Sequence, residues 1–381
     1  MTELPIYNCH IHTFTTRQVP RDFLKLLWGP VVGPIAGQVL SVRPLAHLVI
    51  RLAPYVNPWA SNDLWERWAN LFSTGDVLTQ REVFLGVEKQ YPPDTVFVVL
   101  PMDMAFFKLG PVPENIDWQH EDLLALAAEF PGRIVPFYAV DPRRDDVIKR
   151  ARQFLASGKF RGVKIYPNGG YYPTDDKLMG VYAICEEHGL PVTAHCGPYG
   201  VWQYGLTVAD RVRFSHPSNY EAILTKFPKL RLCLAHFGGS SEWDKQLKSQ
   251  TDRAGDDRSW VRWICDLIRD GAYPNLYTDI SYLIFQSAGQ GIHVTYMDYL
   301  KVLLDNPRLQ GHVLFGSDYY MVEQEPMTEK EVSIALRSHL GEDLFFQIAH
   351  HNPRRWLGME SGARGAGEAG SKGSEGATSE A

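Results

Sequence analysis

Residues 175–195, DDKLMGVYAICEEHGLPVTAH, hold the reading that decides the fold. The first two thirds have the spacing of a helix, and His188–Gly189 supply a cationic last turn followed by a glycine suited to the position just past a helix end. The remainder, LPVTAH, is a short apolar run of strand type that ends on His195. The same rhythm recurs outward in both directions. Strand-type runs stand at LPIYN, TVFVVLP, RIVPFYAV, FRGVKIY, LPVTAH, RLCLAHF, NLYTDIS and HVLFGSD, with helix-compatible stretches such as DDVIKRARQFLASG between them. Strands alternating with helices imply a parallel sheet, and eight of them predict a (β/α)8 barrel, with a doubly wound open sheet as the other arrangement.

Two regions fall outside the rhythm. Residues 15–91, rich in Trp, Leu and Pro, are far longer than an ordinary strand-to-helix connection. Pieces such as PLAHLVIRLA and NDLWERWANLF predict a helical insertion over one end of the barrel, a pattern that a homodimer contact or a membrane-surface patch shares. Residues 359–381 are Gly, Ala, Ser and Glu and predict a disordered tail. Their G-x-G-x-x-G, Gly365 to Gly370, follows no strand and opens no helix, so it predicts no nucleotide site. The barrel domain is accordingly 1–358.

Bulk composition narrows the function. With 381 residues, 45% hydrophobic content and a net charge of -6, the chain is expected to be globular, with no surface for nucleic acid. Five cysteines without C-x-x-C spacing argue against a disulfide framework or a zinc knuckle. FLKLLWGPVVGPIAGQVL is broken by Lys25, Pro30 and Pro34, which leaves no firm membrane signal, and the opening residues lack the features of a secretory signal. The cytoplasm is the expected compartment.

Chemistry enters at the ends of the strand-type runs. His10 and His12 follow the first run, two apart, a spacing that puts both on one face of an extended strand. His195 ends the fifth, His236 follows the sixth, and Asp318 ends the eighth. Barrel enzymes assemble their sites from such C-terminal strand ends, and imidazoles with a carboxylate are the ligand set of a catalytic divalent ion. Cys9 and Cys196 adjoin these positions, and strand alternation predicts that they turn away as packing residues.

H-x-H after the first strand, single histidines after the fifth and sixth and Asp after the eighth resemble the amidohydrolase superfamily. FGSDYY, NLYTDIS and HNPRRWLGM resemble, more narrowly, the amidohydrolase-related group that includes aminocarboxymuconate-semialdehyde decarboxylase and γ-resorcylate decarboxylase. The resemblance covers residues 1–14 and about 95–358. It implies that His10, His12, His195 and Asp318 hold one divalent ion, Zn2+ first and Mn2+ second, with His236 and Asp318 as acid and base. Lys164, in GVKIYP, stands where binuclear members carry a bridging carboxylated lysine; the resemblance makes it a candidate second-metal or substrate contact, with a single ion as the leading expectation.

Aromatic residues crowd the segments after the strands, and Tyr166, Trp202 and Tyr319 are the expected pocket residues, with Arg17 or Arg43 available for an acid group. The expected partner is a small molecule. The leading expectation is hydrolysis of a C–N or C–O bond of an aromatic or unsaturated substrate by a metal-activated water. Non-oxidative decarboxylation of an aromatic or unsaturated acid shares the signature. A barrel that has lost catalysis would lack one or more of the five groups, and all are present.

Overall fold

A computed structural model of the chain describes residues 4–26, 70–252, 258–284 and 293–359. Arg43, the PLAHLVIRLA stretch, residues 62–69 and the tail from 360 lie outside the described residues. The strands are Tyr7–Ile11 (β1), Val96–Val99 (β2), Ile134–Pro136 (β3), Tyr138–Val140 (β4), Val163–Ile165 (β5), Val192–His195 (β6), Leu232–Ala235 (β7), Leu276–Asp279 (β8) and Val313–Leu314 (β9). Every one is buried along its length, as strands covered on both faces must be.

All pairings are parallel, in two ladders, β1-β2-β3 and β4 through β9 in sequence order. β3 and β4 are one stave broken at Phe137. The Phe137 amide still bonds back to Val99 O at 3.1 Å, while the Tyr138 amide bonds forward to Gly162 O at 2.9 Å. On the other side the Cys9 amide bonds to Phe315 O at 2.9 Å and the Asp318 amide to His10 O at 2.8 Å, so the last stave meets the first. The result is the expected eight-stave barrel.

Helices cover the outside. Asp176–Glu187 starts where the Asp175 side chain accepts the Lys177 amide, and Gly189 follows its end with φ +59°, a conformation that favours glycine. Gln80–Glu88, inside the segment expected to be an insertion, sits instead as the helix of the first repeat. Its Phe84 packs on Phe97 of β2 at 5.4 Å between ring centres. Among the described residues no helix is long and apolar enough to cross a membrane.

A small inner cluster includes Val98, Phe137, Cys233, Tyr277 and Leu314, and Trp356 closes it. Cys9 belongs to this cluster too, which corrects the expectation that it faces away from His10. The register of β1 against β2 shifts between Asn8 and Ile11, and that irregularity lets two adjacent residues both turn inward. Cys196 is buried in the outer core, as a packing residue.

Behind the β1–β9 seam, Asn8 Nδ2 donates to Ser317 Oγ at 2.8 Å and to Tyr91 OH at 3.3 Å, and Tyr91 OH donates to Glu329 Oε2 at 2.6 Å. Burial pushes the Glu329 carboxyl up to about 8. A carboxyl whose folded value exceeds its unfolded one stabilises below the unfolded value, near 4.3, and loses that contribution as pH rises through about 8. The urea midpoint is therefore expected to fall between about pH 5 and pH 8, and less steeply in Glu329→Gln.

Candidate metal centre

Three donor atoms meet at the C-terminal mouth of the barrel. His12 Nε2 lies 3.1 Å and His10 Nε2 3.4 Å from Asp318 Oδ1. These residues form one of two groups, among the described residues, whose donor atoms are close enough to hold an ion. The tautomers are set from behind. His12 Nδ1 donates to Leu100 O at 2.6 Å and His10 Nδ1 to Asp279 Oδ2 at 3.0 Å. Each ring thus keeps its proton on Nδ1 and turns the Nε2 lone pair inward, the arrangement in which a carboxylate or carbonyl orients a metal-ligating histidine. Asp318 Oδ1 is buried and has no hydrogen-bond partner among the described residues. A carboxylate oxygen left bare between two lone pairs is costly unless a cation joins them, so the residues present fit a divalent ion.

Burial, with Lys164 next, holds His10 well below its usual value, which favours the neutral form a metal needs. Lys164 itself is buried, with Nζ 3.3 Å from His10 Nε2, and burial lowers it to about 8 despite the pull of Asp279 and Asp318. Strain concentrates at the same place. His236, Phe237, Tyr282 and Asp318 all have positive φ, at a cost on the order of 1–3 kcal/mol each.

The remaining histidines form a pair. His195 Nδ1 and His236 Nε2 are 3.0 Å apart. His195 Nε2 lies 2.9 Å from Tyr199 O and 3.1 Å from Gly197 O, beside Asn168 Nδ2. Burial pushes His195 down to about 3 and His236 well below its usual value. His195 lines the same cavity as His12 and Asp318, but neither three-residue donor group includes it.

Asp279 is the residue that the strand-end reading passed over, although it ends β8 as Asp318 follows β9. Besides His10, it accepts the amides of His236 at 2.9 Å and Ser281 at 3.1 Å, and the Ser281 hydroxyl. With His10 and His236 it makes the second donor group. One carboxylate thus fixes elements from β1, β7 and β8. Asp279→Asn is expected to weaken metal retention about 10- to 100-fold at near-normal stability, read by chelator competition.

A cavity of about 350 Å3 opens from these groups, within the size range of small-molecule sites. Tyr166 and Trp202 line it as expected. Tyr319 does not. Neighbouring residues turn to opposite sides here, so Tyr319 runs outward to Val83 O at 3.3 Å while Tyr320 lines the cavity. Arg17 pairs with Glu114 at 2.5 Å and is half exposed, away from the lining.

Comparison with known proteins is consistent with this architecture. A family model described as amidohydrolase matches residues 93–359, a span that leaves out His10 and His12. The fold resembles that of 5-carboxyvanillate decarboxylase from Novosphingobium aromaticivorans, complexed with manganese and 4-hydroxy-3-methoxy-5-nitrobenzoic acid. The TM-score is 0.55 at 12% identity, over 93% of this chain and 96% of that one. A probable 2-pyrone-4,6-dicarboxylic acid hydrolase from Acinetobacter baumannii gives 0.55 at 12% identity, covering 93% and 100%. The 2,6-dihydroxybenzoate decarboxylase from Rhizobium gives 0.51 at 13% identity, covering 77% and 92%. No curated protein matches the sequence significantly. Since the family model spans well over half of the chain, the protein belongs to the amidohydrolase family of enzymes.

Proposed function

We propose that the protein is a metal-dependent hydrolase acting on a C–N or C–O bond of a small aromatic or unsaturated substrate. The observation that carries this is the meeting of two oriented imidazole lone pairs with an unbonded, buried carboxylate oxygen at the mouth of a cavity. His10, His12 and Asp318 would hold the ion, with His195 as the fourth ligand of the sequence reading. Zn2+ suits the nitrogen-rich set, and Mn2+, present in the 5-carboxyvanillate decarboxylase complex, is the alternative. When bound, the ion supplies Lewis acidity that lowers the pKa of a water from 15.7 towards about 7.

The chain's own groups do the rest. Leu100 O and Asp279 keep both Nε2 lone pairs aimed inward. Asp318 and His236 line the cavity, and either can take a proton from the attacking water and return one to the leaving nitrogen or oxygen. Because His195 Nε2 is engaged by Tyr199 O, His195→Ala is expected to reduce metal retention less than His12→Ala, by elemental analysis after dialysis.

Decarboxylation is the second reading, and the largely apolar cavity favours it. A carboxylate carried into a water-poor site loses hydration that neutral CO2 does not need. The deciding experiment loads the full chain with Zn2+ or Mn2+ and assays amides, esters and lactones for hydrolysis beside aromatic and unsaturated acids for CO2 release. Hydrolysis alone supports the proposal. CO2 release alone transfers the site to the second reading.

A further inference from the structure

Among the described residues Arg211 is the buried arginine, with 6% of its surface exposed. It stands on the helix Val208–Ser215, between β6 and β7. Ser215, one turn further along the same face, donates its hydroxyl to Asn168 Oδ1. Asn168 Nδ2 in turn donates to Tyr199 O at 2.9 Å and lies 3.0 Å from His195 Nε2. That face of the helix therefore looks onto the mouth of the barrel. The guanidinium lies over the Trp202 ring at 4.2 Å and near the Tyr199 ring at 5.8 Å, and both rings line the cavity.

A charge so placed calls for a partner. Arg211 Nε and Nη1 are buried and have no hydrogen bond among the described residues. The groups that act on the guanidinium are the Tyr199 and Tyr166 hydroxyls, with no carboxylate among them. Burial lowers its pKa, yet a guanidinium keeps its proton at neutral pH. Neighbouring arginines are satisfied, Arg143 by Asp141 at 2.5 Å and Arg213 by Asp210 at 2.8 Å. Stacking on an indole offsets part of the lost hydration. Two idle donors remain, an arrangement that is costly until an anion completes it.

We propose that Arg211 receives a carboxylate of the substrate, which makes the substrate a small aromatic or unsaturated acid. The inference deepens the reading of a metal-dependent site and rests on it. A planar fork of N–H groups matches the two oxygens of a carboxylate. Arg211 does not itself line the cavity, whereas Trp202 does, so the carboxylate meets the guanidinium past the edge of that ring. Asp318 and Arg211 both act on the Tyr166 hydroxyl, so one small molecule can meet the metal centre and the guanidinium together.

The test is calorimetric binding of benzoate, its neutral isostere benzamide, and acetate to the full chain, metal-free and Zn2+-loaded. The metal-free chain is expected to prefer benzoate to benzamide about 10- to 150-fold, the equivalent of about 1.5–3 kcal/mol for charge-assisted bonds. Arg211→Met, whose stem can still pack on Trp202, should abolish that preference and leave benzamide binding within about twofold. Arg211→Lys should keep part of it, and Arg211→Gln makes the same comparison if the methionine variant does not fold. If Arg211 serves only to hold Trp202 in place, benzoate and benzamide weaken together and the inference falls. It falls also if the wild-type chain shows no preference for benzoate. A preference that survives Arg211→Met and is lost in Lys164→Met moves the acid to Lys164 and overturns it. Acetate bound through Arg211 as tightly as benzoate makes this a plain anion site, which overturns the assignment to substrate. The metal reading fails separately: no Zn2+ is retained, while the Arg211-dependent preference of the metal-free chain stands.

Discussion

Asp318→Asn is expected to lose most of the bound ion and to lower kcat/KM by on the order of 10^3 or more. The substitution keeps shape and volume but removes the charge. Among the described residues Asp318 Oδ1 has no hydrogen bond to lose, so the fold gives up little there. What changes is the relation to the two imidazoles. An amide turned one way offers a weaker oxygen, and turned the other way it donates N–H to the His12 or His10 lone pair, which blocks the site from within. Metal content after dialysis against Zn2+, a melting curve and the rate on whichever substrate the screens reveal give three separate readouts. A variant that keeps its ion and its rate would remove this carboxylate from the centre of the reading.

The second large effect concerns stability alone. Trp356→Ala is expected to cost about 3–5 kcal/mol, read as a lower urea midpoint at unchanged slope. The indole is fully buried and packs on the Phe137 ring with centres 5.5 Å apart. Phe137 is the residue at which the third stave passes from β3 to β4, so the void opens where the two ladders have no shared strand pairing. Trp356 Nε1 has no hydrogen-bond partner among the described residues, so the loss is one of packing. Trp356→Phe should recover much of it.

Several residues show why part of this was legible in the sequence. Seven of the eight strand-type runs contain an observed strand and the first overlaps one, because strands buried on both faces are spelled as continuous apolar runs. The first apolar run is LPIYN, whereas β1 runs from Tyr7 to Ile11. It carries Asn8 and His10, polar residues whose partners include Ser317 and Asp279, 309 and 269 residues away. No local pattern reveals such a bond. RIVPFYAV reads as one strand because the break at Phe137 depends on neighbours from two other staves. Gln80–Glu88 reads as part of the insertion because the surrounding segment is long, although its Thr79–Glu82 capping box marks a helix start.

For the site, the strand-end rule named the three residues that the structure brings together, His10, His12 and Asp318. Asp279 meets the same rule, at the end of β8. Its work is to hold other side chains, and that depends on distances across three strands. Tyr319 and Tyr320 show the limit from the other side. Composition marks both as aromatic, and only the backbone decides which of the two reaches the cavity.

The seam between the first and last staves has a consequence for how the protein is made. Asn8 and Ser317, joined across it, are 309 residues apart. A ribosome adding about 5–20 residues per second needs roughly 15–60 s to travel that distance. Through that interval the nascent chain carries His10 and His12 and lacks Asp318. On the proposed reading, the three donors can hold an ion together only once Asp318 has been added, so translation sets the order of assembly.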